Sequence, residues 1–146
     1  MNGKITVLLV EKDPQITQLL LLLMTEPAWP PLPFTLVCVD GLGAAREALS
    51  ADDSIQVVLL DAAMTGSSLL EGLRMLRSHS PETPVVVLTE PGGESVGLEA
   101  VRAGAQDYQV KGGLDARTLK RTLSCAVVRQ RLAPRREIRR RRHAHA

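Results

Sequence analysis

Aromatic residues are almost missing from this chain: one Phe, one Tyr and one Trp among 146 residues. A core with so few rings must be built from aliphatic side chains, and Leu, Val and Ala supply it. Cysteine is nearly as scarce. Cys38 and Cys125 have no Cys or His neighbour at ligand spacing, which points to two reduced packing residues in place of a disulfide or a metal pair. Long apolar runs are missing too. The longest, Leu19 to Met24, is far short of the ~20 residues that span a bilayer. The start of the chain, with Lys4 and Glu11 flanking a brief strand-like run, lacks the layout of a signal peptide. The expected location is the cytoplasm.

What is present is enough for one domain with one core, too short for a second of ordinary size. The net charge of +2 hides a division. Residues 129–146 hold eight Arg against one Glu and so carry +7, which leaves −5 on residues 1–128. The expected organisation is a folded unit over 1–132 and a basic tail or linker, disordered, over 133–146. Such a run of arginines could meet nucleic acid or an acidic membrane. No helix-turn-helix pattern, zinc spacing or aromatic stacking surface accompanies it, so a solvated tail is the favoured reading.

Strands and helices alternate along the rest. Lys4 to Val10 is β-branched-rich and reads as a central strand, stopped by Glu11-Lys12-Asp13-Pro14. Asp13 caps and Pro14 opens a helix whose buried stripe is expected at Ile16, Leu19, Leu20 and Leu23. Prolines around Trp29 force a loop, and Thr35 to Asp40 is the second strand. An Ala-rich helix follows Gly41 to Gly43 and reaches about Leu49. Ile55 to Leu60 is a strand, Leu69, Leu73 and Leu76 mark a helix, and Pro84 to Thr89 is the fourth strand. Glu94 to Ala103 is a short helix with little to anchor it, Asp107 to Val110 a short fifth strand, and a last helix runs from about Leu114 to Val127. Five such alternations predict an α/β fold with a five-stranded parallel sheet covered on both faces. The order 2-1-3-4-5 sets the ends of the first and third strands side by side at the switch point, as in flavodoxin-like (βα)5 three-layer sandwiches.

Strand ends then carry the chemistry. The run Val57-Val58-Leu59-Leu60 is buried on both faces and ends on Asp61, at the mouth where such sheets bind ligands. Glu11, Thr89 and Lys111 end three other strands. Two acids, a hydroxyl and an ammonium around one crevice suit a carboxylate that accepts a phosphoryl group, since the product's charge must be neutralised and its oxygens hydrogen-bonded.

This set, in this order, resembles the receiver domain of two-component response regulators. Val-Leu-Leu-Val-Glu-Lys-Asp-Pro is similar to the family's first-strand motif and Leu-Leu-Asp-Ala-Ala-Met to its phosphoacceptor motif. Val-Val-Val-Leu-Thr and Gly-Ala-Gln-Asp-Tyr-Gln-Val-Lys are similar to its switch motifs. The resemblance implies Asp61 as phosphoacceptor, Thr89 and Lys111 as its catalytic partners, and Thr89 and Tyr108 as the switch pair. Mg²⁺ would be held by Glu11, Asp61 and the Ala63 carbonyl. It further implies a histidine kinase or phosphotransfer protein as donor, signalling or homodimerisation through the face of the fourth helix, fifth strand and fifth helix, and a linked output domain.

Four residues depart from that pattern, one of them Thr65, which replaces the frequent Pro after Met64. Lys12 stands where a second metal-holding carboxylate is expected, and an ammonium about 4 Å from a divalent ion would repel it by roughly 8 kcal/mol at an effective dielectric near 20. One reading has Lys12 in solvent; the other has it replacing the metal as a tethered charge on Asp61 or Glu11. Glu90 follows Thr89 where a small residue is usual and would crowd an incoming anion. Gly112 follows Lys111 where Pro is common, which leaves the reach of Lys111 open. The rival function is therefore a pseudo-receiver, an interaction module working without Mg²⁺ or phosphorylation.

Overall fold

A computed structural model describes residues 4–27, 33–65 and 69–132. Five parallel strands, β1 (Ile5–Val10), β2 (Phe34–Val39), β3 (Ile55–Asp61), β4 (Val85–Thr89) and β5 (Asp107–Val110), form one sheet in the order β2-β1-β3-β4-β5. The three inner strands are nearly continuous in Val, Leu and Ile and are buried along their length, whereas the edge strands β2 and β5 are mostly half-buried. A parallel sheet covered on both faces selects for this composition.

The covering helices are α1 (Pro14–Thr25), α2 (Leu42–Ala51), α3 (Leu69–His79), α4 (Glu94–Arg102) and α5 (Ala116–Arg131). Strand alternation divides the core in two. Val7, Leu9, Val57, Leu59, Val86 and Leu88 pack against Leu20 and Met24 of α1 and Leu119, Leu123 and Val127 of α5. Leu8, Val10, Val58, Leu60, Val85 and Val87 pack against Ala45 of α2, Leu73 and Leu76 of α3 and Ala100 of α4.

Local chemistry sets the helix starts. The Asp13 side chain accepts from the Gln15 N–H at 2.9 Å, with Pro14 in the first turn, and Asp115 accepts from the Thr118 N–H at 2.8 Å. The last helix consequently begins at Ala116 and not near Leu114. Gly41 is the N-cap of α2, which runs on to Ala51, past the expected end near Leu49.

Two expectations about packing are corrected. Leu19 is 42% exposed, and Met24 takes the buried place, so the stripe of α1 is Ile16, Leu20, Leu23 and Met24. That set follows an i, i+4, i+7, i+8 repeat, which a run of leucines on all sides does not distinguish from its alternatives. Cys38 and Cys125 are both free and both exposed, so neither is a packing residue. Among the described residues no helix is long and apolar enough to cross a membrane. Trp29 and the basic tail 133–146 lie outside the described residues.

Candidate functional site

Register assembles the site. Val10 of β1 pairs with Leu60 of β3, so the residues that follow, Glu11 and Asp61, leave the sheet side by side. Asp61 pairs with Leu88 of β4, and Thr89 with Val110 of β5. Lys111 therefore starts two strands from Asp61, roughly 10 Å at ~4.8 Å per strand, and its long stem reaches back across β4. Its ammonium donates to Asp61 Oδ2 at 2.8 Å. Lys111 reaches the acid without a proline after it.

The resulting cleft has a volume of about 240 Å³, with Glu11, Lys12 and Asp13 on one wall, Glu90 and Lys111 on the other, and Asp61 and Ala63 between them. Asp61 is 3% exposed, and its second oxygen, Oδ1, accepts from the Ala63 N–H at 3.0 Å. Lys111 carries a second ion pair, to Glu90 Oε1 at 2.9 Å. Burial works against the Lys111 ammonium, but its hydrogen bonds to Asp61 and Glu90, with the charges of Asp61 and Glu11, raise its pKa above the ordinary lysine value.

On the opposite wall Glu11 is 4% exposed. Its Oε2 accepts from the Lys12 N–H at 3.1 Å and the Asp13 N–H at 3.2 Å, while Oε1 is buried with no partner among the described residues. Burial, and next the Asp61 carboxyl beside it, push the Glu11 carboxyl up to about 7, against the lowering effect of the Asp13 N–H and the Lys111 charge. Lys12 is exposed, and both ion pairs of the cleft belong to Lys111. The tethered charge on Asp61 is thus Lys111, with Lys12 turned to solvent.

Thr89 and Tyr108, expected as the switch pair, sit behind the cleft. Thr89 is 1% exposed, its Oγ1 has no partner among the described residues, and it does not line the cleft. Tyr108, paired with Val87, is half-buried, and its ring lies on α4 where Gly97 has no side chain; a Cβ there would stand 2.4 Å from the ring. Motif spacing does not single out Gly97, yet an isolated Gly inside a helix costs about 1 kcal/mol relative to Ala and so signals close packing.

The donors for a divalent cation are few. Among the described residues no cluster of three or more His, Cys, Asp or Glu is placed to hold an ion, and Asp13 is committed to its helix cap. With Glu90 held on Lys111, two carboxylates remain, Glu11 and Asp61, one with an oxygen buried and without a partner among the described residues, and Ala63 lines the cleft beside them. That set fits Mg²⁺, which binds through one or two carboxylates and keeps several waters. A larger groove of about 450 Å³, lined in part by Asp52, Ile55, Thr83 and Gln130, lies at the other end of the strands, with none of these strand-end groups.

Comparison with known proteins decides the family. Residues 7–123 match the model of the response regulator receiver domain. The chain belongs to that family. Among curated relatives, this receiver domain is 34% identical over 106 residues to the transcriptional regulatory protein CpxR of Klebsiella pneumoniae subsp. pneumoniae, covering 72% of this chain and 42% of that protein. It is 38% identical over 63 residues to the regulatory protein AtoC of Escherichia coli, covering 43% of this chain and 14% of that one. The chain thus spans less than half the length of these relatives. In fold it is similar to a response regulator receiver domain protein from Clostridium thermocellum, with a TM-score of 0.73, 22% identity, and coverage of 89% of this chain and 99% of the other. It is also similar to NtrX from Brucella abortus in complex with ADP, with a TM-score of 0.74, 22% identity, and coverage of 91% and 28%.

Proposed function

We propose that this receiver domain accepts a phosphoryl group on Asp61 from the phosphohistidine of a histidine kinase or phosphotransfer protein in the cytoplasm. The observation that carries the reading is the placement of Asp61: a buried carboxylate at the switch point of the sheet, held at 2.8 Å by the Lys111 ammonium with Glu11 alongside. A carboxylate oxygen of Asp61 attacks phosphorus while the bond to the leaving nitrogen breaks. Lys111 neutralises the charge left on the phosphoryl oxygens, as a fixed cation does in a water-poor site. Glu11, Asp61 and the Ala63 carbonyl would hold Mg²⁺, which would supply further charge neutralisation when bound. The domain is a signalling element that catalyses at most its own phosphorylation and dephosphorylation.

Signal output follows from the two groups behind the cleft. The unpartnered Thr89 hydroxyl gains an acceptor once Asp61 is phosphorylated, and Tyr108, which rests on Gly97, moves with it. The helix above them is weakly held: α4 buries only Gly97 and Ala100 and exposes Val96, Leu98 and Val101. The charge on Asp61 shifts the population of this element, and the α4-β5-α5 face transmits it to a homodimer partner or a covalently linked output domain. Residues 1–132 form the receiver unit in this reading, and 133–146, outside the described residues, are given no role toward nucleic acid or membrane.

A second reading is favoured by one observation, Lys12 in place of a metal-holding carboxylate: a pseudo-receiver that binds its partner without phosphorylation. Incubation with acetyl phosphate and Mg²⁺ separates the two. An adduct of one phosphoryl group by intact mass, absent in Asp61→Ala, supports the first. No adduct, with partner binding retained, selects the second.

A further inference from the structure

We propose that Glu90 is a gate on the phosphoryl site: its carboxylate competes with an incoming phosphoryl oxygen for the Lys111 ammonium, so Asp61 accepts a small phosphodonor faster once that pairing is released. The inference rests on Asp61 being the phosphoacceptor and names what regulates it.

The position of Glu90 is built in by its turn. Its carbonyl accepts from the Gly93 N–H at 2.8 Å, Pro91 follows it, and Gly92 has φ +85°. Pro then Gly with positive φ is the pattern of a type II turn, which fixes the backbone of Pro91 and Gly92 and so sets where Glu90 enters it. Close packing holds the turn down. A Cβ on Gly93 would stand 2.8 Å from the Glu90 carbonyl and 3.1 Å from Thr89 Cβ, and one on Gly112 would stand 3.0 Å from the Pro91 ring. The residue after Lys111 is therefore a glycine against which the turn carrying Glu90 rests. Loop and loop meet through Gly112 and Pro91, and their side chains through Lys111 and Glu90.

The pairing is asymmetric. The Lys111 side chain is 11% exposed and tied to the buried Asp61, whereas the Glu90 side chain is 66% exposed. Of the two carboxylates on the ammonium, Glu90 is the one that can swing away into water. An ammonium has three protons, and two are engaged before any phosphoryl oxygen arrives. The Glu90 charge also repels a dianionic donor at the mouth. Transfer from acetyl phosphate forms a bond from an Asp61 oxygen to phosphorus and breaks the bond from phosphorus to the acetyl oxygen, so that acetate leaves with the bonding pair. The transferred oxygens then compete with the Glu90 carboxylate for the Lys111 ammonium, which has one proton left for them.

The test uses the whole chain and Glu90→Gln, which keeps the size and removes the charge. Without donor, the Lys111 Nζ signal in a ¹⁵N-correlated NMR spectrum should move in the variant. With acetyl phosphate and Mg²⁺, its Asp61 should be phosphorylated about tenfold faster, the scale expected from releasing an exposed ion pair and removing a nearby like charge. An unmoved Lys111 signal, or an adduct that forms at equal rates in both proteins, overturns the gate alone. No adduct on either protein overturns the phosphoacceptor reading and the gate with it.

Discussion

The two walls of the cleft are opposites. On the β1 side a carboxylate has too few partners: Glu11 is buried with one oxygen unpartnered among the described residues, and the neighbouring cation, Lys12, is out in solvent. On the β4–β5 side a cation has two: Lys111 is shared between Asp61 and Glu90. One wall is short of positive charge and the other is saturated with negative charge. Buried charges are tolerated when paired, so the unpaired wall is where an added ion has most to offer and the paired wall is where an incoming anion must compete.

The largest test of the contrast removes the shared cation. Lys111→Ala leaves Asp61 and Glu90 with no ammonium between them, and phosphorylation of Asp61 by acetyl phosphate with Mg²⁺ should slow about 10²-fold, the usual cost of losing one charge-stabilising donor. A loss smaller than tenfold, read from adduct formation over time, would mean that the β4–β5 wall contributes little to transfer and that the comparison has been drawn at the wrong place.

Lys12→Asp sharpens the other wall. The substitution replaces a cation by a carboxylate at the cleft edge, supplying the ligand that the β1 side lacks. Because Lys12 is exposed, its effect on an ion is screened well below the figure for a close contact, and Mg²⁺ affinity should tighten roughly tenfold. Calorimetric titration with Mg²⁺ alone measures it. Equal affinities would place the deficit of this wall elsewhere than at Lys12.

Much of this arrangement could be read from the chain before any coordinates, and for a physical reason. Buried parallel strands are uniform in Val, Leu and Ile, so the polar residue that ends each inner run, Glu11, Asp61 or Thr89, marks the strand end and the crevice together, whereas Lys111 follows the mixed edge strand Asp107–Val110 and is marked by its motif alone. Periodicity fails where every side is apolar: Leu19 to Met24 could be turned several ways, and packing against the sheet and α5 selects Leu20 and Met24. It fails again where the decisive contact is between loops. Glu90 was legible as a crowding charge, but its pairing with Lys111 depends on a turn closed at Gly93 and on Pro91 resting over Gly112. Likewise the seat of Tyr108 is an absent side chain at Gly97, which leaves no hydrophobic signal to find.

The smallest effect, and the most direct reading of the unpartnered wall, is its pH dependence without metal. The Glu11 carboxyl sits at about 7 against an ordinary 4.5, so the folded chain binds this proton more tightly than the unfolded chain does. The stability this contributes is fully present below the unfolded value and is lost as pH rises from about 4.5 through about 7. Glu11→Gln cannot titrate and should escape the loss. The difference in Tm, variant minus parent, should therefore grow between pH 5 and pH 8 by a few degrees, where about 1 kcal/mol corresponds to roughly 2–4 °C in a chain of this size. Mg²⁺ should narrow that gap at pH 8 by stabilising only the parent, because an ion binds the ionised carboxylate and not the amide. A difference that stays flat across the range, or an equal response of both proteins to Mg²⁺, would show that the buried oxygen of Glu11 is satisfied by something other than a proton or an ion, and the two walls would then no longer be opposites.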